Sequence, residues 1–273
     1  MAASTLTLAR CGDAGQMDII MSWTLSNLRR EFDWFLKRCL RWSAPVVRRP
    51  IGEIAPFLER LSEAELRRYH ALTEVYDLSR FAETCTVTEL FQSIDRLDLL
   101  DQHVGATPPG GLDVGALNWT YLPALTAFKP GPWLGIELDG FQRYVSMDTR
   151  GAQARHRASQ FPGATYRVQD VHMVEGQWGL VTWFFPYVTP GPLISAGLPD
   201  RFFDPVAMLK HVWSLVAPGG TLFVMNVDLN EDGYQRELFD RAGIEVTQLG
   251  RIVSVFDDDD DENHGWVAVK PER

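Results

Sequence analysis

Apolar residues in the first part of the chain recur with the period of a helix. Ile19, Ile20, Trp23, Leu28, Phe32, Phe35, Leu36, Cys39 and Leu40 share one helical face. Pro45 and Pro50 end that helix. Ser62, with Glu65 three positions on, reads as a capping box opening a helix that reaches about Tyr76. Leu90, Phe91, Ile94, Leu97 and Leu100 mark another over 88–100. Then Thr107, Pro108, Pro109, Gly110 and Gly111 break helical continuation. This predicts an N-terminal helical region, 1–107, followed by a second domain, 108–273.

Beyond the break the period changes. Short apolar runs at 112–117, 133–138, 165–168, 180–184 and 221–227 read as buried strands. Helical patterns at 121–128, 150–161, 205–215 and 232–242 separate them. Such alternation requires parallel strands, because a parallel return needs a crossover. The last two runs, 246–255 and 265–269, have no helix between them and predict an antiparallel hairpin. The expected fold class is α/β: a doubly wound, mostly parallel seven-stranded sheet with an antiparallel C-terminal hairpin.

The chain has 273 residues and a net charge of −10, which disfavours nucleic acid as its general partner. Residues 1–50 hold eight Arg/Lys and four Asp/Glu, a balance of +4 that leaves −14 on the rest. Residues 28–42 are basic and aromatic. They suit a helix packed on its own domain, or a surface for nucleic acid, a membrane or another protein. Cys11, Cys39 and Cys85 have neither disulfide-framework nor zinc spacing, so free thiols in a reducing, cytoplasmic setting are expected. No apolar run reaches the roughly 18–20 residues of a membrane span, and no secretory signal is evident. Asp257–Asp261 with Glu262 reads as a solvated loop between the last two strands. His172 and His211 lack partners at metal-ligand spacing, so no metal site is expected, and no covalent nucleophile stands out.

In open α/β sheets ligands bind beyond the carboxyl ends of the strands. The first strand ends in Asp113-Val114-Gly115-Ala116-Leu117-Asn118-Trp119, where Gly115 permits a sharp turn and the following helix offers free amides. The second ends at Glu137-Leu138, a carboxylate placed to accept from ribose hydroxyls. The third is followed by Asp170-Val171, suited to an exocyclic amine. The fourth ends in Thr182-Trp183-Phe184-Phe185-Pro186-Tyr187. Ala217-Pro218-Gly219-Gly220 forms a turn before the fifth. The Gly-x-Gly-x-x-Gly pattern of nicotinamide enzymes is missing.

This series resembles the class I S-adenosylmethionine-dependent methyltransferases over about 160 residues. The resemblance implies S-adenosylmethionine as cofactor, held by Asp113, Gly115, Ala116, Asn118, Glu137, Leu138, Asp170, Val171 and Trp183. It implies a methyl acceptor against Phe185 and Tyr187, and no catalytic base can be named. Two positions depart from the pattern: Leu117 and Trp119 stand where the family carries its later glycines. Phe184 also replaces the Asp, Asn or Ser of amino-methylating relatives. The helical region would cover the substrate or form a homodimer contact. The alternative is a non-catalytic protein of the same fold, acting as a cofactor-binding or interaction module.

Overall fold

The computed structural model describes residues 14–39, 57–77, 87–105, 108–145, 147–256 and 262–272. Pro45, Pro50, Cys11, Cys85 and the run Asp257–Asp261 lie outside them. Two compact units result: Met1–Leu40 with Pro190–Phe203, and Arg41–Thr189 with Asp204–Arg273.

In the first unit, α1 (Ala14–Cys39) packs on the segment following Thr189. Arg30 is buried and pairs with Asp200 at 2.5 Å, Asn27 caps the Asp200 amide, and Trp34 meets Phe202 edge-on. Leu25, Leu28, Phe32 and Phe35 on α1 are exposed.

The second unit opens with α2 (Glu63–Val75) and α3 (Val87–Asp98). The Ser62 capping box forms, with both reciprocal hydrogen bonds present. Arg68 on α2 pairs with Asp95 and Asp98 on α3. There follow β1 (Gly111–Val114), α4 (Leu122–Phe128), β2 (Trp133–Glu137), α5 (Arg150–Ala158), β3 (Thr165–Val168) and β4 (Trp178–Phe184). The short α6 (Pro190–Ser195) belongs to the first unit, and α7 (Pro205–Ser214), β5 (Val216–Asn226), α8 (Leu229–Ala242), β6 (Thr247–Arg251) and β7 (His264–Val269) complete the second.

The sheet order is β3-β2-β1-β4-β5-β7-β6. β1 to β5 are parallel, and β7 lies antiparallel between β5 and β6. The four residues of β1 and five of β2 are all buried, as a sheet covered on both faces requires. Ile94, Leu125, Trp133 and Phe223 fill one layer; Leu112, Leu209, Val224 and Trp266 fill the other. β4 and β5 begin earlier than the apolar runs suggested, at Trp178 and Val216, because the bulged 216–220 turn still pairs. The final hairpin forms, its first arm shorter than 246–255 implied and its second one residue longer than 265–269.

Candidate functional site: the carboxyl ends of β1, β2 and β4

Asp113 on β1 is wholly buried. Its Oδ1 accepts a 2.7 Å hydrogen bond from Thr182 Oγ1 on the adjacent β4. Burial pushes its pKa up to about 8, and the nearby Glu137 adds to the rise. Thr182, Trp119 and Tyr121 oppose it by hydrogen bonding. Burial thus favours the neutral carboxyl of Asp113, against hydrogen bonds that favour the carboxylate.

The turn after β1 keeps a left-handed backbone without the glycines that usually supply one. Gly115, Leu117 and Trp119 have φ of +73°, +49° and +61°. A side chain in that region is disfavoured by roughly 1–2 kcal/mol. Surrounding groups hold the turn. Leu117 N donates to Glu137 Oε2 at 3.0 Å, and Leu117 O accepts from Tyr166 on β3 at 2.6 Å. Asn118 O accepts from Arg157, and its side-chain amide donates to Gln153 on α5. Trp119 is fully buried, tilted against Tyr166 and seated over Gly135 of β2.

Glu137 is buried at the end of β2. Asp139 N donates to its Oε1 at 2.7 Å, and Arg150 stands 3.5 Å from that oxygen. Burial raises the Glu137 pKa, opposed first by Arg150. Arg150 lies in the first turn of α5, beyond the Thr149 cap, and Glu137 and Tyr144 favour its charged form against burial. A cation there opposes the helix dipole, so its place is set by Glu137.

Gln169 N donates to Glu137 O, which brings Asp170 and Val171 beside Glu137 and Leu138. Asp170 Oδ1 accepts from both the amide and Nδ1 of His172, and Val171 is buried. The His172 and His211 rings lie 5.4 Å apart. Among the described residues no group of three or more His, Cys, Asp or Glu could hold a metal ion.

Beyond β4, Phe185 takes φ +54° and its amide donates to Met225 O. Burial raises the Tyr187 pKa, and its hydroxyl also senses Glu137, Arg150 and Asp139. The loops after β2 and β4 leave the sheet on either side of β1.

The expected cofactor residues divide into two groups. Asp113, Gly115, Glu137 and Leu138 gather at the ends of β1 and β2, with Asp170 and Val171 next in line. Ala116 and Trp183 are core residues, and Trp183 packs beneath Gly115. The Asn118 side chain is committed to Gln153. α4 has only seven residues and Pro123 in its first turn, so it offers fewer free amides than expected. Thr182, Tyr166 and Arg150 were not singled out from sequence. Only Arg150 carried a signal there, as a cation at a helix start.

The sequence matches no family model and no curated protein. Solved structures share its outline at low identity. Magnesium protoporphyrin IX methyltransferase from Synechocystis PCC 6803 is 15% identical, with 66% of this chain and 79% of that chain covered and a TM-score of 0.44. A SAM-dependent methyltransferase from Aquifex aeolicus is 13% identical, with coverages of 73% and 96% and a TM-score of 0.46. Streptomyces venezuelae DesVI is 15% identical, with coverages of 77% and 99% and a TM-score of 0.47. What decides the fold is the strand order itself, with β7 inserted antiparallel between β5 and β6. This is the class I methyltransferase fold. In that fold the Asp113–Trp119 turn and Glu137 occupy neighbouring strand ends. Among the described residues no helix is long and apolar enough to cross a membrane.

Proposed function

We propose that this chain binds S-adenosylmethionine at the ends of β1 and β2 and transfers its methyl group to an acceptor beside β4. The observation that carries the reading is the left-handed turn at 115, 117 and 119, kept by Leu117 and Trp119 despite the cost of their side chains. A backbone shaped this way at the first strand end suits close approach of a ligand.

The residues present fit the cofactor. Glu137 Oε2 accepts only from Leu117 N, so one of its lone pairs can take a ribose hydroxyl. Asp170 keeps Oδ2 for an exocyclic amine, with buried Val171 beside it. Asp113 is tied to β4 through Thr182 beneath the turn. Bound there, the cofactor supplies an electrophilic methyl group on a sulfonium. The chain's own share is alignment of the acceptor and exclusion of water by Phe185 and Tyr187. Helix α1, with its exposed apolar stripe, is the surface through which a homodimer would form.

A second reading, a non-catalytic binding module, is favoured by one observation. Glu137 is already engaged by two amides and Arg150, contacts that serve the fold without any ligand. Titration calorimetry with S-adenosylmethionine and S-adenosylhomocysteine separates the readings. Micromolar binding, lost in Glu137→Gln, with methyl transfer to extract components supports the enzyme. Binding without transfer supports the module. No heat at millimolar ligand ends the enzyme reading and leaves an interaction module that binds no cofactor.

A further inference from the structure

The exposed apolar residues of α1 follow a stricter period than a globular core asks for. Leu25, Leu28, Phe32 and Phe35 are spaced three, four and three residues apart, and all stand about 60% exposed or more. Cys39, an exposed free thiol, continues the series four residues on. This is the a/d repeat of a coiled coil. Around the helix the four side chains span an arc of about 80°, narrower than the stripe of about 100° or more by which a helix seats on a core. The helix has a separate contact for its own unit: Asn27, Arg30, Glu31 and Trp34 engage Asp200, Arg201 and Phe202. The seam is turned away from that contact, and its narrowness fits another helix.

Charge decides how a second copy would lie on it. With Leu25 at a, Arg29 and Leu36 fall at e, and Thr24, Glu31 and Arg38 at g. Two parallel copies set Glu31 against Leu36 and Thr24 against Arg29, so no like charges are opposed. The antiparallel register that pairs all four apolar residues sets Glu31 against Glu31 and Arg29 against Arg29. Sliding that register by one heptad matches Glu31 with Arg38 but sets Leu25 past Cys39, where the partner α1 ends. Exposed ion pairs contribute less than a buried leucine, so the parallel pair wins. α1 carries four basic and three acidic residues, so its two copies repel little.

We propose that two copies of this chain pair through α1 as a parallel two-stranded coiled coil, with Leu25, Leu28, Phe32, Phe35 and Cys39 each facing its own counterpart. This rests on the homodimer surface named under the proposed function and needs no cofactor.

Sedimentation equilibrium of the full chain tests the pairing. A dimer is expected on the order of 10–100 μM, the seam being short. Phe32→Ser with Phe35→Ser should weaken it about ten-fold or more, as the loss of two buried apolar side chains requires. Val75→Ser, at an exposed site on α2, should leave it unchanged. Direction is read with bismaleimidoethane, a short thiol-to-thiol linker, on a Cys11→Ser, Cys85→Ser background. Cys39 should link to its counterpart, and the product should vanish in Cys39→Ser and in the Phe32→Ser, Phe35→Ser variant. A monomer at every concentration, or a dimer indifferent to Phe32 and Phe35, overturns the pairing and the homodimer surface on α1 together. A dimer that needs Phe32 and Phe35 but leaves Cys39 unlinked overturns only the parallel arrangement and keeps that surface. A monomer that sediments with phosphatidylserine vesicles through Phe32 and Phe35 overturns the pairing in favour of lipid. Calorimetry with S-adenosylmethionine is read separately: its failure removes methyl transfer and leaves the pair standing.

Discussion

The indole of Trp119 lies against Gly135: a β-carbon at 135 would stand 2.7 Å from Trp119 Cε2. The small residue that lets turn and strand approach each other stands on β2. Gly135→Ala should therefore destabilise the protein by about 1–3 kcal/mol, as overpacking does. Trp119→Gly relieves the backbone but empties the site, at a net cost of about 3–5 kcal/mol. Urea unfolding of both variants checks this, and a neutral Gly135→Ala would refute the contact.

Asp113 gives stability a distinctive pH dependence. Its folded pKa, about 8, lies above its value of 3.8 in an unfolded chain. The neutral form is favoured on folding, so this contribution is complete below about pH 4 and is lost as pH rises toward 8. In that window stability falls by up to about 1.4 kcal/mol per pH unit through this one group. Asp113→Asn should flatten the slope, measured by denaturant unfolding between pH 5 and pH 8. An unchanged slope would show that Asp113 is ionised in the fold.

Tyr166→Phe removes the 2.6 Å bond to Leu117 O while keeping the ring. A loss of about 0.5–1.5 kcal/mol in stability is expected. Looser cofactor binding is expected too, because the left-handed turn loses an anchor. Calorimetry on the variant reads the second effect apart from the first.

Arg150→Ala strips Glu137 of its counter-charge. The carboxyl pKa, already raised by burial, should rise further. Stability at pH 8 should then fall more than at pH 5, where the carboxyl can take up a proton. Parallel unfolding curves at the two pH values would contradict the pairing.

The sheet could be read from sequence because period and strand–helix alternation are local signals. Even the final hairpin follows from a missing helix between two apolar runs. Candidate site residues could be singled out from sequence only at or just past strand ends, as with Asp113, Glu137 and Asp170. Tyr166 and Thr182 are mid-strand residues whose roles depend on which strand lies beside them. Neighbouring strands here are distant in sequence, as β1 and β4 are. The Asn118 side chain donates to Gln153, a partner 35 residues on that the local pattern could not supply. The bounds of β4 and β5 shifted because backbone pairing across the 216–220 turn leaves no trace in hydropathy.

Asp95 on α3 binds Arg68 and also takes hydrogen bonds from the hydroxyl of Ser254 and the amide of Val255, while Phe256 O accepts from Gln92. The partners of Asp95 stand up to 160 residues downstream. At ribosomal rates of about 5–20 residues per second, that gap lasts roughly 8–32 s. Among the contacts of α3, those to 254–256 must then be late ones, made only when nearly the whole chain has emerged. Truncation just before residue 254 would leave the Asp95 carboxylate short of these partners at the end of synthesis.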